Sequence, residues 1–386
     1  MTRYYFDHNA TTPVSPEVME AMAPCFAEVY GNASSIHHFG QLAKQRLETA
    51  RRQTAALLRC RPPEIVFVSG GTEADNLALL GAVRPCQGKH VVTTAIEHPA
   101  VLGACAQIQR EGGEVTYVPV GACGVVDPDD IRRALRPNTS LVSVMHANNE
   151  LGTVQPIAEI ARITREAGVV FHSDGVQAAG RVATDVQALG VDLYSISGHK
   201  IYAPKGAGAL FVRKGTSLGA IQYGGHHERD RRAGTENVPG TVGLGKAAEC
   251  AARDRQAESQ RLACLRDRLE AGILDRVPDA GVNGSRSTRV PNTTNLYFDY
   301  LAGESLVIAL DLRGFAVSSG SACSSGSVEP SHVLLAIGLG AERARASIRF
   351  SLGRSNTAEQ VDALIEAVAD SVAHLRKISP LTPAHA

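Results

Sequence analysis

Lys200 stands in Ser197-Gly198-His199-Lys200, ahead of a turn marked by Pro204 and Gly206. An amine framed by such small residues can be held out of water, which lowers its pKa and suits it to Schiff-base formation with a carbonyl. Asp174 lies one strand-crossover unit earlier in the chain. A lysine and a carboxylate facing each other across a flat ring are what pyridoxal phosphate requires, together with an anion cup for its phosphate. The carboxylate keeps the pyridine nitrogen protonated, so the ring draws electrons from the substrate Cα. Ser69-Gly70-Gly71-Thr72-Glu73 offers such a cup, because small residues allow close backbone approach and free N–H groups at a helix start bind anions. Taken singly, each piece has an ordinary meaning. Lys200 reads as a solvated loop lysine, Asp174 as a turn or helix cap, and Gly71-Thr72 as a capped strand-to-helix turn. The combination favours the cofactor.

Five further groups extend the pattern. Glu97-His98-Pro99 follows a strand, and His98 is either a satisfied turn histidine or a proton carrier over a ring. His146 to Gly152, with Asn148 and Asn149, forms a polar cluster at another strand end, and Gln177 follows Asp174 closely. Arg349 in Ile348-Arg349-Phe350 is either a surface ion pair or a fork for a substrate carboxylate. Cys323 sits in Ser318-Ser319-Gly320-Ser321-Ala322-Cys323-Ser324-Ser325-Gly326-Ser327. That composition predicts a mobile arm, a poor place for a structural cysteine and a good one for a thiolate that enters a pocket and leaves with cargo.

The elements that must position these residues are legible as short apolar runs alternating with helical patterns. Runs at 64–68, 90–96, 141–145, 169–172, 193–196 and 208–212 predict strands, with helices over 72–80 and 157–167. Near-continuous apolar strands separated by helices predict an α/β fold with a mostly parallel sheet covered on both faces. In such sheets ligands bind beyond the C-terminal ends of the strands, where the polar residues above fall. After Gly240 the pattern changes. A long charged, Ala-rich helix (242–274) leads to strands near 293–298 and 348–351 and a closing amphipathic helix (358–375), which reads as a smaller α+β domain. The expected division is a large domain over 16–250 and a small one from 1–15 and 251–386 that carries the cysteine loop (about 318–330).

Composition narrows the function classes. The 386 residues carry 39 basic and 39 acidic side chains, and this balance lacks the basic excess of a nucleic-acid binder. Aromatics are 5% with no Trp, which removes stacking platforms for single strands. Hydrophobic residues at 44% suffice for a full core. The N-terminus shows no basic patch followed by an apolar stretch, and no apolar run approaches the about 20 residues of a membrane span, so a cytoplasmic location is expected. Eight cysteines include no C-x-x-C pair, which disfavours zinc ribbons and thioredoxin-type redox sites.

The motifs together resemble the cysteine desulfurases, enzymes of PLP fold type I in the class V aminotransferase group. They are Tyr5-Phe6-Asp7-His8-Asn9-Ala10-Thr11-Thr12, Gly31-Asn32-Ala33-Ser34-Ser35-Ile36-His37, Ser69 to Asn76, Ser197 to Lys200 and Ser319 to Cys323. His8 stands where Asn is frequent in that family, and Ala33 where Pro is. The stretch from Gly224 to Asn237 and the ending Leu375 to Pro380 resemble the nitrogen-fixation branch, NifS. The resemblance implies a mostly parallel, seven-stranded large-domain sheet and an aldimine on Lys200. It implies that Gly71, Thr72, Ser197 and His199 hold the phosphate, with Thr235 reaching in from the second subunit of a homodimer. Asp174 would pair the pyridine nitrogen, Gln177 the ring oxygen, and His98 would stack on the ring and move protons. Asn149 and Arg349 would bind the carboxylate of L-cysteine. Cys323 would take the sulfur as a persulfide, leaving alanine, and pass it to an iron–sulfur scaffold protein. No standing metal site is implied, only a passing role for Cys323 as a cluster ligand.

Rival readings differ in what they need. An aminotransferase needs no thiol in a mobile arm, whereas a selenocysteine lyase shares the fold and the cofactor. A non-catalytic sulfur or metal scaffold would gather its cysteines, which are scattered here. A metal hydrolase built on His37, His38, His226 and His227 would need histidines that face one way, and no H-E-x-x-H occurs.

Overall fold

The computed structural model describes residues 2–319 and 329–381. In chain order its strands are β1 (Tyr4–Tyr5), β2 (Ile65–Val68), β3 (His90–Thr94), β4 (Glu114–Val118), β5 (Thr139–Ser143), β6 (Val170–Asp174), β7 (Leu193–Ser197), β8 (Gly208–Val212), β9 (Ala280–Val282), β10 (Thr293–Phe298), β11 (Phe315–Ala316) and β12 (Ser347–Ser351). Seven of them form one sheet in the order β2-β8-β7-β6-β5-β3-β4. Pairing is parallel from β4 through β7, and β8 runs antiparallel to both β7 and β2. Every residue of β2, β3, β7 and β8 is buried, as expected of strands covered on both faces. The six apolar runs predicted as strands all lie in this sheet. β4 was not predicted, because Glu114, Thr116 and Tyr117 break its apolar run. It is an edge strand with Glu114 and Tyr117 exposed, and an edge tolerates that composition.

β5 lies on the opposite side of β3 from β4, so the connections diverge there and open a crevice at the strand ends. Helix Gly71–Val83 follows β2, and helix Pro99–Arg110 follows β3 with Pro99 at its first position. Helix Ile157–Glu166 buries Ile157, Ile160, Ala161, Ile163 and Thr164, the one-sided spacing of a helix lying on a sheet.

β10 pairs antiparallel with β9 and β12 in a second sheet, and β1 pairs in parallel with β11. The closing helix Ala358–Ile378 buries Val361, Leu364, Ile365, Val368 and Val372 against this part of the chain. Helix Val238–Arg276 is 39 residues long and serves both cores. Its Leu244, Ala247, Ala248 and Ala251 join the core of the seven-stranded sheet. Its Leu262, Leu265, Leu269 and Ile273 join the core around β10 and β12. Small residues set the spacing at its first half. A Cβ at Gly245 would lie 2.5 Å from Ala50 Cα of helix His38–Leu58.

Candidate active site

Ten of the residues singled out in the sequence line one cavity of about 250 Å³: Gly71, Thr72, His98, Asn149, Asp174, Gln177, Ser197, His199, Lys200 and Arg349. Asp174 and Ser197 are the last residues of β6 and β7, and Lys200 lies in the tight turn Gly198–Lys200. His98 caps helix Pro99–Arg110, and Gly71 opens helix Gly71–Val83. The sheet thus gathers at one rim groups that stand more than a hundred residues apart. Asn9, Ala10, Asp75, Met145 and Val176 complete the lining. Sequence reasoning gave these five no site role. Asn9 and Ala10 act here through backbone carbonyls, which a residue type does not advertise.

Lys200 Nζ donates to the carbonyls of Asn9 at 2.5 Å and Ala10 at 2.7 Å. The Asp174 carboxyl is buried, and burial pushes its pKa up to about 6 against the opposing pull of the Val176 N–H and the Lys200 charge. Its Oδ1 accepts from that N–H at 2.9 Å, so Asp174 also braces its own turn. Burial draws His98 down to about 4, and the charges of Lys200 and His332 add to the shift. His98 Nδ1 accepts from the Ala100 N–H at 3.1 Å. The neutral ring therefore carries its proton on Nε2. His199 is lowered to about 4, chiefly by burial and then by Lys200, and its Nδ1 lies 3.1 Å from Thr11 Oγ1.

Arg349 is only 3% exposed, and its guanidinium is held by the Asn149 carbonyl at 3.0 Å and Asp7 at 2.7 Å, with Nε unpartnered. It is a buried fork on β12. The Gln177 amide nitrogen donates to the Asn9 carbonyl at 3.0 Å, and its oxygen accepts from Arg181. Thr235 lies apart from this cavity, in a groove of about 240 Å³ with Ser69, Gly234 and Asn237. Of the two residues that depart from the family pattern, His8 is buried with both ring nitrogens unpartnered and lies against Gly353, and Ala33 is buried in a small cluster with Cys25 and Val29.

Cys323 lies outside the described residues. The chain on either side of it is fixed at the cavity. Ser318 and Arg349 exchange backbone hydrogen bonds at 3.3 and 2.7 Å. Beyond Glu329, the Ser331 hydroxyl donates to Glu150 at 2.6 Å, and His332 Nε2 lies 3.0 Å from the Glu97 carbonyl.

The donor set fits pyridoxal phosphate. A lysine amine and a buried carboxylate share the cavity. Ser197 Oγ is buried without a partner beside the helix start at Gly71, an acceptor-hungry hydroxyl where a phosphate would sit. A Cβ on Gly71 would lie 2.8 Å from Val176 Cγ2 and press on a side chain that lines the cavity.

Residues 4–364 match the family described as Aminotransferase class-V. The chain is 49% identical over 381 residues to the cysteine desulfurase IscS of Methanosarcina thermophila, covering 98% of this chain and 94% of that protein. A solved NifS-like protein superposes with a TM-score of 0.91 at 35% identity, covering 97% of this chain and all of that one. A structure of SspA in complex with cysteine superposes with a TM-score of 0.81 at 36% identity, over 91% of this chain and 99% of that one. Sheet order, cavity and likeness agree that the fold is PLP fold type I, and the chain belongs to the class V aminotransferase family as a pyridoxal-phosphate-dependent cysteine desulfurase.

Proposed function

We propose that this chain takes L-cysteine, releases L-alanine and collects the sulfur as a persulfide on Cys323. The observation that carries the residue roles is the meeting of Lys200, Asp174, His98 and Arg349 in one cavity whose Ser197 hydroxyl lacks a partner. Bound pyridoxal phosphate supplies an electron sink that weakens bonds at the substrate Cα and Cβ. Lys200 Nζ would hold the cofactor covalently, and its amine would carry the Cα proton. Gly71, Thr72, Ser197 and His199 cradle the phosphate, Asp174 faces the pyridine nitrogen, and Gln177 donates to the ring oxygen. Arg349 and Asn149 receive the substrate carboxylate; a buried guanidinium held from two sides is pre-oriented for that bidentate contact. His98 holds its proton at Nε2, on the side away from its capped Nδ1. The Cys323 thiolate attacks the substrate sulfur, the C–S bond breaks, and its electron pair is protonated at carbon to give alanine. The anchoring of the flanking chain at Arg349, Glu150 and Glu97 supports this role, since both ends of the cysteine loop start from the cavity rim.

We further propose a homodimer in which Thr235 serves the partner's cavity, in keeping with its distance from its own. We also propose the division into 16–250 and 1–15 plus 251–386; the two largest cores support it, although Ala251 packs with the seven-stranded sheet. Motif likeness favours the nitrogen-fixation branch and an iron–sulfur scaffold as sulfur acceptor. Among the described residues no helix is long and apolar enough to cross a membrane, in keeping with a cytoplasmic protein.

The test is to incubate the purified yellow protein with L-cysteine, quantify alanine and map the persulfide-bearing peptide. Cys323→Ala is expected to keep the yellow colour and form no persulfide; normal sulfide release by that variant would overturn the assignment. Lys200→Ala is expected to lose the borohydride-reducible bond to the cofactor. Reduction that still fixed the cofactor elsewhere would remove Lys200 from the role.

A further inference from the structure

We propose that Arg181 is a positioning residue that locks the Gln177 side-chain amide in the one orientation that offers its N–H, and not its oxygen, to the cofactor's ring oxygen. This rests on the placing of Gln177 at that ring oxygen given above.

An amide side chain has two orientations of similar shape and opposite chemistry, with acceptor and donor exchanged. The neighbours of Gln177 decide between them. Arg181 donates to Gln177 Oε1 and to the Gln177 backbone carbonyl at 3.0 Å. On the other side, Gln177 Nε2 donates to the Asn9 carbonyl at 3.0 Å. A guanidinium can only donate and a carbonyl can only accept. Turning the amide over would set N–H against guanidinium N–H and oxygen against carbonyl oxygen, losing both bonds at once. Of the two N–H groups on Nε2, one serves Asn9 and the second is left for the cavity that Gln177 lines.

Arg181 is arranged for this task and for little else. Its described hydrogen bonds all go to carbonyl oxygens: Gln177 Oε1, the Gln177 backbone, and His8 at 3.4 Å. Among the described residues no carboxylate forms an ion pair with it. The ionisable groups that face it are Tyr202, Arg349 and His8. Its own backbone is pinned, since the Ser259 hydroxyl of helix Val238–Arg276 donates to the Arg181 carbonyl at 2.8 Å. Burial lowers its pKa to about 10, so it remains a cation through neutral pH.

The experiment uses the cofactor-loaded protein without substrate and reads the pH midpoint at which its visible absorption converts. A hydrogen bond to the ring oxygen favours the form in which that oxygen bears full negative charge. Arg181→Met is therefore expected to raise the midpoint by roughly 0.5–1 unit, the size of one net hydrogen bond. Arg181→Gln keeps a neutral donor for Gln177 Oε1 and is expected to restore most of the shift, which loss of charge alone would not allow. Gln177→Ala is expected to raise the midpoint by itself, and adding Arg181→Met to it is expected to change nothing more. A full shift from Arg181→Met in the Gln177→Ala background, or failure of Arg181→Gln to restore, overturns the positioning role. An unmoved midpoint in Gln177→Ala alone overturns instead the placing of Gln177 at the ring oxygen.

Discussion

Glu97 and His98 are neighbours at the end of β3, and burial drives their protonation in opposite senses. His98 loses its proton early and is neutral at pH 7. Burial pushes Glu97 up to about 8, and the Asp174 charge adds to the rise, although the Thr94 hydroxyl at 2.7 Å and the Met145 N–H at 3.0 Å favour the ionised form. Its Oε2 has no partner, as suits a carboxyl that keeps its proton. A folded-state pKa above the unfolded value of about 4.3 means that the folded chain binds more protons between the two. The associated stability is complete below about 4.3 and is lost as pH rises through about 8. Wild-type protein is thus expected to lose melting temperature more steeply than Glu97→Gln between pH 5 and pH 8, measured by scanning calorimetry on cofactor-free samples. Parallel slopes would show that Glu97 does not hold that proton. At this scale the sequence displayed Lys200, Asp174 and His98, because their side chains do the work and each closes a strand or a turn. It did not display Asn9, which contributes a carbonyl, or Arg181, which reads as one more charged turn residue until its partners are known.

Between β6 and its following turn, geometry is set by the neighbouring strand. A Cβ at Gly175 would lie 2.0 Å from Tyr194 Cζ, and the Tyr194 hydroxyl is itself held 2.7 Å from His146 Nδ1. Gly175→Ala must therefore displace either that ring or the turn that carries Asp174. It is expected to cost about 1–3 kcal/mol in urea unfolding, as overpacking does, and to weaken cofactor retention. Gly103→Ala is the contrast, because nothing lies within 4 Å of its added Cβ inside helix Pro99–Arg110. It is expected to gain up to about 1 kcal/mol from helix propensity. Equal effects of the two substitutions would refute the crowding argument. Elements were readable where burial is uniform, as in β7 and β8, and hidden where an edge relaxes it, as in β4. Helix Val238–Arg276 was foreseen within four residues at each end, since few breakers interrupt its Ala-rich repeat.

On the surface of the whole molecule, Tyr30 and Phe39 stack with ring centroids 5.5 Å apart, and Ile36 and Phe26 are 93% and 67% exposed. Exposed apolar side chains, where they form one contiguous patch, suit a surface that another protein covers. They support the proposed dimer, and nothing in the sequence separates them from core residues until the fold assigns them outward. Ile36→Glu combined with Phe39→Glu is expected to shift sedimentation velocity to the monomer and to weaken cofactor binding through loss of the partner's Thr235. A monomer with unchanged cofactor affinity would remove Thr235 from the phosphate site. The long helix common to both cores has a wider effect on how the chain behaves. Its two halves are staves of separate barrels cut from one length of wood, so neither core can come apart without loosening the other. A polypeptide with enough residues for two independent folds is thereby bound into one shared fate.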